Sequence, residues 1–171
     1  MNKLLFLSLG AGIFLLDGLI ISGTTGYYLS MLFNIYLVSI LIYFGPTKFA
    51  LISGFVFSVL FELFVGLPVG LLTMSFLLTA LLTHILNGLF SIRWASALRT
   101  DISDMLQLFV YGFVMVILFT ISVWAFSFYF DHKANLISFL SPSFFINSAA
   151  GLIFMLLISK FICSKKSTRY L

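Results

Sequence analysis

The sequence predicts an all-α integral membrane protein, a bundle of six transmembrane helices in a single domain over residues 1–171. Three observations predict it. Of the 171 residues, 62% are hydrophobic and only 8% are charged, with a mean hydropathy of +1.21; a soluble domain carries about 25% charged and about 45–50% apolar residues. The charged residues divide the chain into apolar runs of the length that crosses a hydrocarbon core about 30 Å thick. The cations, finally, collect on one side of those runs. The low hydrophobicity and high charge that disorder requires are absent. A single Cys163 excludes a disulfide framework and a cysteine-based zinc site. The net charge of +4 comes from cations flanking apolar segments, which does not make a nucleic-acid surface.

The first span covers residues 4–22 and is apolar except for Asp17. Lys3 precedes it as in a signal peptide, but no small-x-small cleavage site follows, so it reads as an uncleaved anchor. The second, 27–45, stops at Pro46. The third, 48–66, contains Glu62 and ends at Gly66-Leu67-Pro68. The fourth, 69–90, contains His84 and Asn87. The fifth, 105–130, is free of charge and longer than the minimum, which implies tilt or a projecting end. The sixth, 144–163, carries Lys160 near its end. Neither of the last two shows the polar face of an interfacial helix, which disfavours five spans.

An even number of spans puts both termini on one side. That side holds Lys3, Lys48, Arg93, Arg99, Lys160, Lys165, Lys166 and Arg169; the other holds only Lys133. Cations on short loops set topology, so both termini are expected in the cytoplasm. The basic tail also suits attraction to anionic headgroups. The longest inner loop, 91–104, repeats Ile92, Ala95, Leu98 and Ile102 at helical spacing beside Trp94. It reads equally as a short interfacial helix or as an irregular loop.

Catalytic signals are few. There is no Gly-x-Ser-x-Gly elbow, no His-Glu-x-x-His pair and no Walker loop. His84 and His132 have no converging metal ligands. No catalytic, cofactor or metal site is expected, and no enzyme.

The polar residues inside the spans carry more information, because an intramembrane carboxylate costs a few kcal/mol and is by default a functional candidate. Asp17 lies about 7 Å from the outer end of its span at 1.5 Å per residue. Glu62, Asn34 and Asn147 enter their spans at comparable depth. Together these four line an outward cavity or a partner's docking site; alternatively, the two carboxylates lie near enough to the interface to be hydrated. Gly54, Ser58 and Glu62 recur every four residues as one stripe, a seam for close helix approach. Ser8 and Gly12 form a shorter version on the first span, and internal packing is the expected use of both.

From Tyr36 the chain reads YLVSILIYFGPTKFALISGFVFSVLFELFVGLPVGLLTMSFLLTALLTHIL. An apolar span, a Pro-containing turn, Gly54, an acidic residue followed by Leu, then Gly and Pro-Val-Gly opening the next span: this order resembles the MreD family of rod-shape-determining membrane proteins. Its Asp-Leu-x-x-Gly-x-x-x-Gly pattern corresponds to Glu62-Leu63-Phe64-Val65-Gly66-Leu67-Pro68-Val69-Gly70, with Glu62 in place of Asp. Gly66 and Gly70 permit a tight reversal, Pro68 is expected to start the next helix, and the Glu62 carboxylate can reach donors in that hairpin. The resemblance implies a scaffold of the bacterial cell-elongation complex in the cytoplasmic membrane. It implies MreC, the MreB filament and peptidoglycan synthases as partners. The six-span layout also looks like the substrate-binding S components of energy-coupling-factor vitamin transporters, for which the polar residues Asp17, Asn34, Glu62 and Asn147 would serve as a ligand pocket. A clear Ala-x-x-x-Ala seam on the first span is missing. A pocket free of filling side chains favours the transporter; Phe rings filling the outer half favour the scaffold.

Overall fold

The computed structural model describes residues 3–17, 31–90, 102–129, 145–146, 148–154 and 157, and these are helical with short turns; no strand occurs among them. The helices are α1 (Lys3–Leu15), α2 (Met31–Phe44), α3 (Lys48–Val65), α4 (Leu71–Phe90) and α5 (Ile102–Tyr129). Residues 148–154 form a further helical stretch, α6, inside the sixth expected span. Two of the described helices, Lys48–Val65 and Leu108–Tyr129, are long and apolar enough to cross a membrane; Lys3–Leu15, Leu32–Phe44 and Leu71–Leu86 are shorter apolar segments.

The ends of α3 show how the sequence sets its helices. Thr47 stands in extended conformation before the first turn and its side chain accepts the Ala50 N–H at 3.4 Å, as an N-cap does. At the other end Gly66 turns left-handed at φ 75°, and the Leu67 N–H returns to the Glu62 carbonyl at 2.9 Å. That bond satisfies a carbonyl left over by the last turn. The fourth helix starts later than the sequence suggests. Gly70 has φ 107°, a backbone that interrupts helical geometry, so α4 begins at Leu71 and Pro68 sits in the turn, its carbonyl accepting the Leu71 N–H. Ile102 to Asp104, expected in the inner loop, already belong to α5; the rest of that loop lies outside the described residues.

The centre of the bundle is α2. Phe33 and every residue from Ile35 to Ile42 are buried, because a helix apolar on all sides has no face to offer water. It packs against α1, α3, α4 and α5. Three glycines on other helices receive its side chains: Gly10 of α1 meets Tyr36, Gly112 of α5 meets the Ile42 methyl, and Gly151 of α6 meets Ile35. A fourth, Gly54 of α3, receives the Phe76 ring of α4. The Gly54–Ser58 stripe is therefore an internal seam. The Ser8 and Gly12 pair is not: both residues are exposed, and a Cβ added at Gly12 would meet open space. The packing glycine of α1 is Gly10, on the opposite face.

Six of the buried hydroxyls follow one rule. Ser39, Ser58, Ser75, Thr79, Thr83 and Thr120 each donate to the carbonyl four residues earlier in their own helix, at 2.6–2.8 Å. Each group is satisfied without water and without a partner helix, which lets it sit between apolar surfaces at little cost.

Candidate functional site

Two carboxylates stand at one end of the bundle, and neither is exposed. Glu62, in the last turn of α3, is wholly buried. One of its oxygens accepts the Thr73 N–H at 2.8 Å; the other accepts the Gly70 N–H at 2.9 Å and the Thr73 hydroxyl at 2.9 Å. Gly70 occupies the N-cap position of α4, since the Met74 N–H returns to its carbonyl. A glycine there has no side-chain acceptor for the free N–H groups of the first turn. Glu62 supplies that acceptor from eight residues upstream, so one side chain ends α3 and begins α4.

Asp17, at the end of α1, makes a similar bond to α2. It follows Leu15 and Leu16 in a wider, π-type turn at the end of α1, and it is wholly buried. Its Oδ2 accepts the Phe33 N–H, in the first turn of α2, at 2.7 Å. In both places an acidic residue at the end of one helix receives an amide near the start of the next described helix. The physical reason is the same in both. The first N–H groups of a helix have no internal partner and carry partial positive charge, so a carboxylate there gains charge-assisted hydrogen bonds and a favourable dipole interaction. Burial strengthens both, because water no longer competes. The alternative in which the carboxylates are hydrated at the interface does not hold, since both are covered.

Aromatic rings fill the space between the two caps. Phe33 stacks on Phe61 with centroids 4.0 Å apart and planes 11° from parallel. Phe14 of α1 meets Phe33, Phe61 and Phe64 edge-on or tilted at 6.3, 5.8 and 5.3 Å. Phe33 carries the amide that Asp17 accepts, and Phe61 precedes Glu62. The caps and the rings thus form one continuous unit over the ends of α1, α2, α3 and α4.

The remaining sequence candidates fall apart from this unit or complete its turn. Gly66 and Gly70 shape the reversal and Pro68 accepts within it. Asn34 is half-buried on α2, and the hydrogen bonds to Glu62 come from Gly70 and Thr73 rather than from it. Asn147 lies outside the described residues. His84 is exposed on the outward face of α4 beside Leu81 and Ile85. Sequence reasoning missed Thr73, which gives Glu62 two of its three bonds. A Thr three residues after a side-chain-less N-cap, with an unpaired acid upstream, is the pattern that points to it. Among the described residues no group of three or more His, Cys, Asp or Glu is placed to hold a metal ion. No family model, curated protein or solved structure matches the chain.

Proposed function

We propose that the chain is a six-span protein of the bacterial cytoplasmic membrane, with both termini inside, and that it acts as a non-enzymatic scaffold of the cell-elongation machinery in the manner of MreD. In this role it holds MreC, the MreB filament and the peptidoglycan synthases together. Several features support the membrane setting. The outward faces of the helices are apolar, with Ile52 and Leu63 on α3, Leu81 on α4, and Val110 and Ile121 on α5 all exposed, as lipid-facing surfaces are. The in-helix bonding of buried hydroxyls suits an interior without water. Trp124, Phe128 and Tyr129 gather at the last turns of α5, with Tyr129 84% exposed; such residues concentrate at headgroup level.

One observation carries the scaffold over the vitamin-binding alternative. The Asp17–Glu62 end, which this topology turns outward, is filled among the described residues by Phe14, Phe33 and Phe61, with Phe64 half-exposed beside them. Glu62 spends its oxygens on α4 rather than on a cavity. A solute site needs polar groups converging on an open volume, whereas a docking surface needs a rigid end. Co-purification with MreC from the same bacterium tests the proposal. Recovery of MreC with the wild-type chain is the expected result, and a folded chain that recovers none overturns the scaffold reading. An MreC-free preparation that instead retains thiamine, riboflavin or biotin would establish the transporter reading.

A further inference from the structure

Among the side chains described, His84 is the one ionisable group exposed along the length of a helix rather than at its end. Lys3 and Lys48 are also exposed, but each is the first residue of its helix, and Asp17 and Glu62 are buried. His84 stands six residues before the end of α4 at Phe90. Its imidazole makes no hydrogen bond, ion pair or ring contact with another described residue. On the topology proposed above, His84 lies about 9 Å inside the cytoplasmic boundary at 1.5 Å per residue.

An imidazole at that depth finds no hydrogen-bonding partner in hydrocarbon. A long cation near a helix end escapes by bending to the headgroups, but His84 is placed badly for that. The Cα–Cβ bond of a helical residue tilts toward the helix N-terminus. For α4 that is the Leu71 end, beside the Glu62–Gly70 turn that this topology puts outside. The tilt carries the ring toward the middle of the bilayer, away from the nearer headgroups, on a single methylene. Its donor and acceptor are left to a lateral neighbour, as with other polar side chains between membrane helices.

The rest of that face suits another helix. Met74, Leu77, Leu81 and His84 follow one another at intervals of three, four and three, and all four are exposed. This is the spacing on which two parallel helices pack as a left-handed pair, and a polar residue at one seam position fixes their register. The occupant follows from symmetry. Two copies inserted in the same orientation are related by a two-fold axis along the membrane normal, so a residue near that axis meets its own counterpart at the same depth. An uncharged imidazole carries one N–H donor and one acceptor nitrogen, so it is complementary to a second imidazole. A second copy of this chain thus brings the missing partner to the depth at which it is needed.

We propose that α4 is the self-association face of the chain, pairing with α4 of a second copy through Met74, Leu77 and Leu81 and through an N–H···N bond between the two His84 rings. The proposal rests on the membrane setting and topology given above, but not on the scaffold role. The test uses the full chain in membranes of the expressing cell, with Cys163→Ser as background and single cysteines introduced. Alkaline carbonate washing comes first, and a chain that it releases overturns the membrane reading itself. In chain that stays, oxidation with copper phenanthroline is expected to cross-link Leu77→Cys and Leu81→Cys into dimers. Ile52→Cys on α3 and Val110→Cys on α5 are expected to stay monomeric. Subunit counting of labelled chain in liposomes then gives the dimer dissociation constant. His84→Leu raises it about fivefold, the ratio for about 1 kcal/mol per hydrogen bond between membrane helices. His84→Asn, which keeps a donor and an acceptor, stays near wild type. Monomers from all four cysteine variants, or equal cross-linking in all four, overturn the α4 interface and leave the membrane reading standing. Cross-links confined to α4, with a dissociation constant unchanged in His84→Leu, overturn the imidazole pair. Cross-linking of the α4 cysteines to a different protein overturns the second copy and assigns the seam to another membrane protein.

Discussion

Glu62 accepts both the amide and the hydroxyl of Thr73, at 2.8 and 2.9 Å. This relationship makes the α3–α4 hairpin a single unit, because the residue that terminates one helix is the missing cap of the other. Glu62→Gln keeps one acceptor oxygen and is expected to cost about 1–2 kcal/mol. Glu62→Leu leaves the Gly70 and Thr73 donors buried and unmet, and is expected to cost about 3 kcal/mol or more. Reversible unfolding in mixed micelles measures both. Hydrogen exchange localises the effect, with the Gly70 and Thr73 amides losing protection before those at the middle of α4.

The turn between these helices makes a second prediction. Gly70 at φ 107° and Gly66 at φ 75° both occupy backbone regions that L side chains avoid, but only the left-handed region near Gly66 is accessible to asparagine. Gly66→Asn should be nearly neutral. Gly70→Ala should destabilise by about 1–3 kcal/mol and weaken the Glu62 bond to the same amide. Equal effects of the two substitutions in the unfolding assay would contradict this ordering.

The glycines that receive side chains behave differently from those that shape turns. Alanine at Gly10 would collide with the Tyr36 ring, and at Gly54 with the Phe76 ring. Each should cost about 1–3 kcal/mol through overpacking. Gly12→Ala meets open space and should change nothing beyond helix propensity. Phe76→Leu should restore part of the loss in Gly54→Ala, and absence of any such recovery would place the strain elsewhere.

A fourth prediction concerns the stacked pair between the caps. Phe33→Leu and Phe61→Leu, alone and together, should give a coupling energy of about 0.5–1.5 kcal/mol beyond lost area, the usual worth of a stacked aromatic pair. Asp17→Leu should expose the Phe33 amide to exchange, while Asp17→Asn, which keeps an acceptor, should protect it.

The outline of the fold was legible in composition and spacing. Gly-Pro-Thr before Lys48 and the Glu62-x-x-x-Gly66 interval mark the ends of α3, because stop and start signals act within a few residues. The reach of Glu62 into its hairpin was also readable. What it would find there was not, since Gly70 as a bare N-cap is evident only once the helix is seen to begin at Leu71. The face on which a helix packs was the least legible. Ser8 and Gly12 share helical spacing as Gly54 and Ser58 do, yet only the latter meet a neighbour. Spacing places small residues on one side of a helix; which side faces the bundle depends on Tyr36 and Phe76, which come from other segments. The Phe content left open whether the rings face lipid or each other, and the pairing of Phe33 with Phe61 follows from the register between α2 and α3.

The seating of Ile35 against Gly151 has a consequence for how the molecule is made. The innermost helix is made well before the segment that supplies one of its sockets. Until that segment emerges from the ribosome, part of the core has no lid, and a chain halted early would display it to the proteases that patrol unfinished products. Closure of this part of the interior therefore waits on the arrival of Gly151.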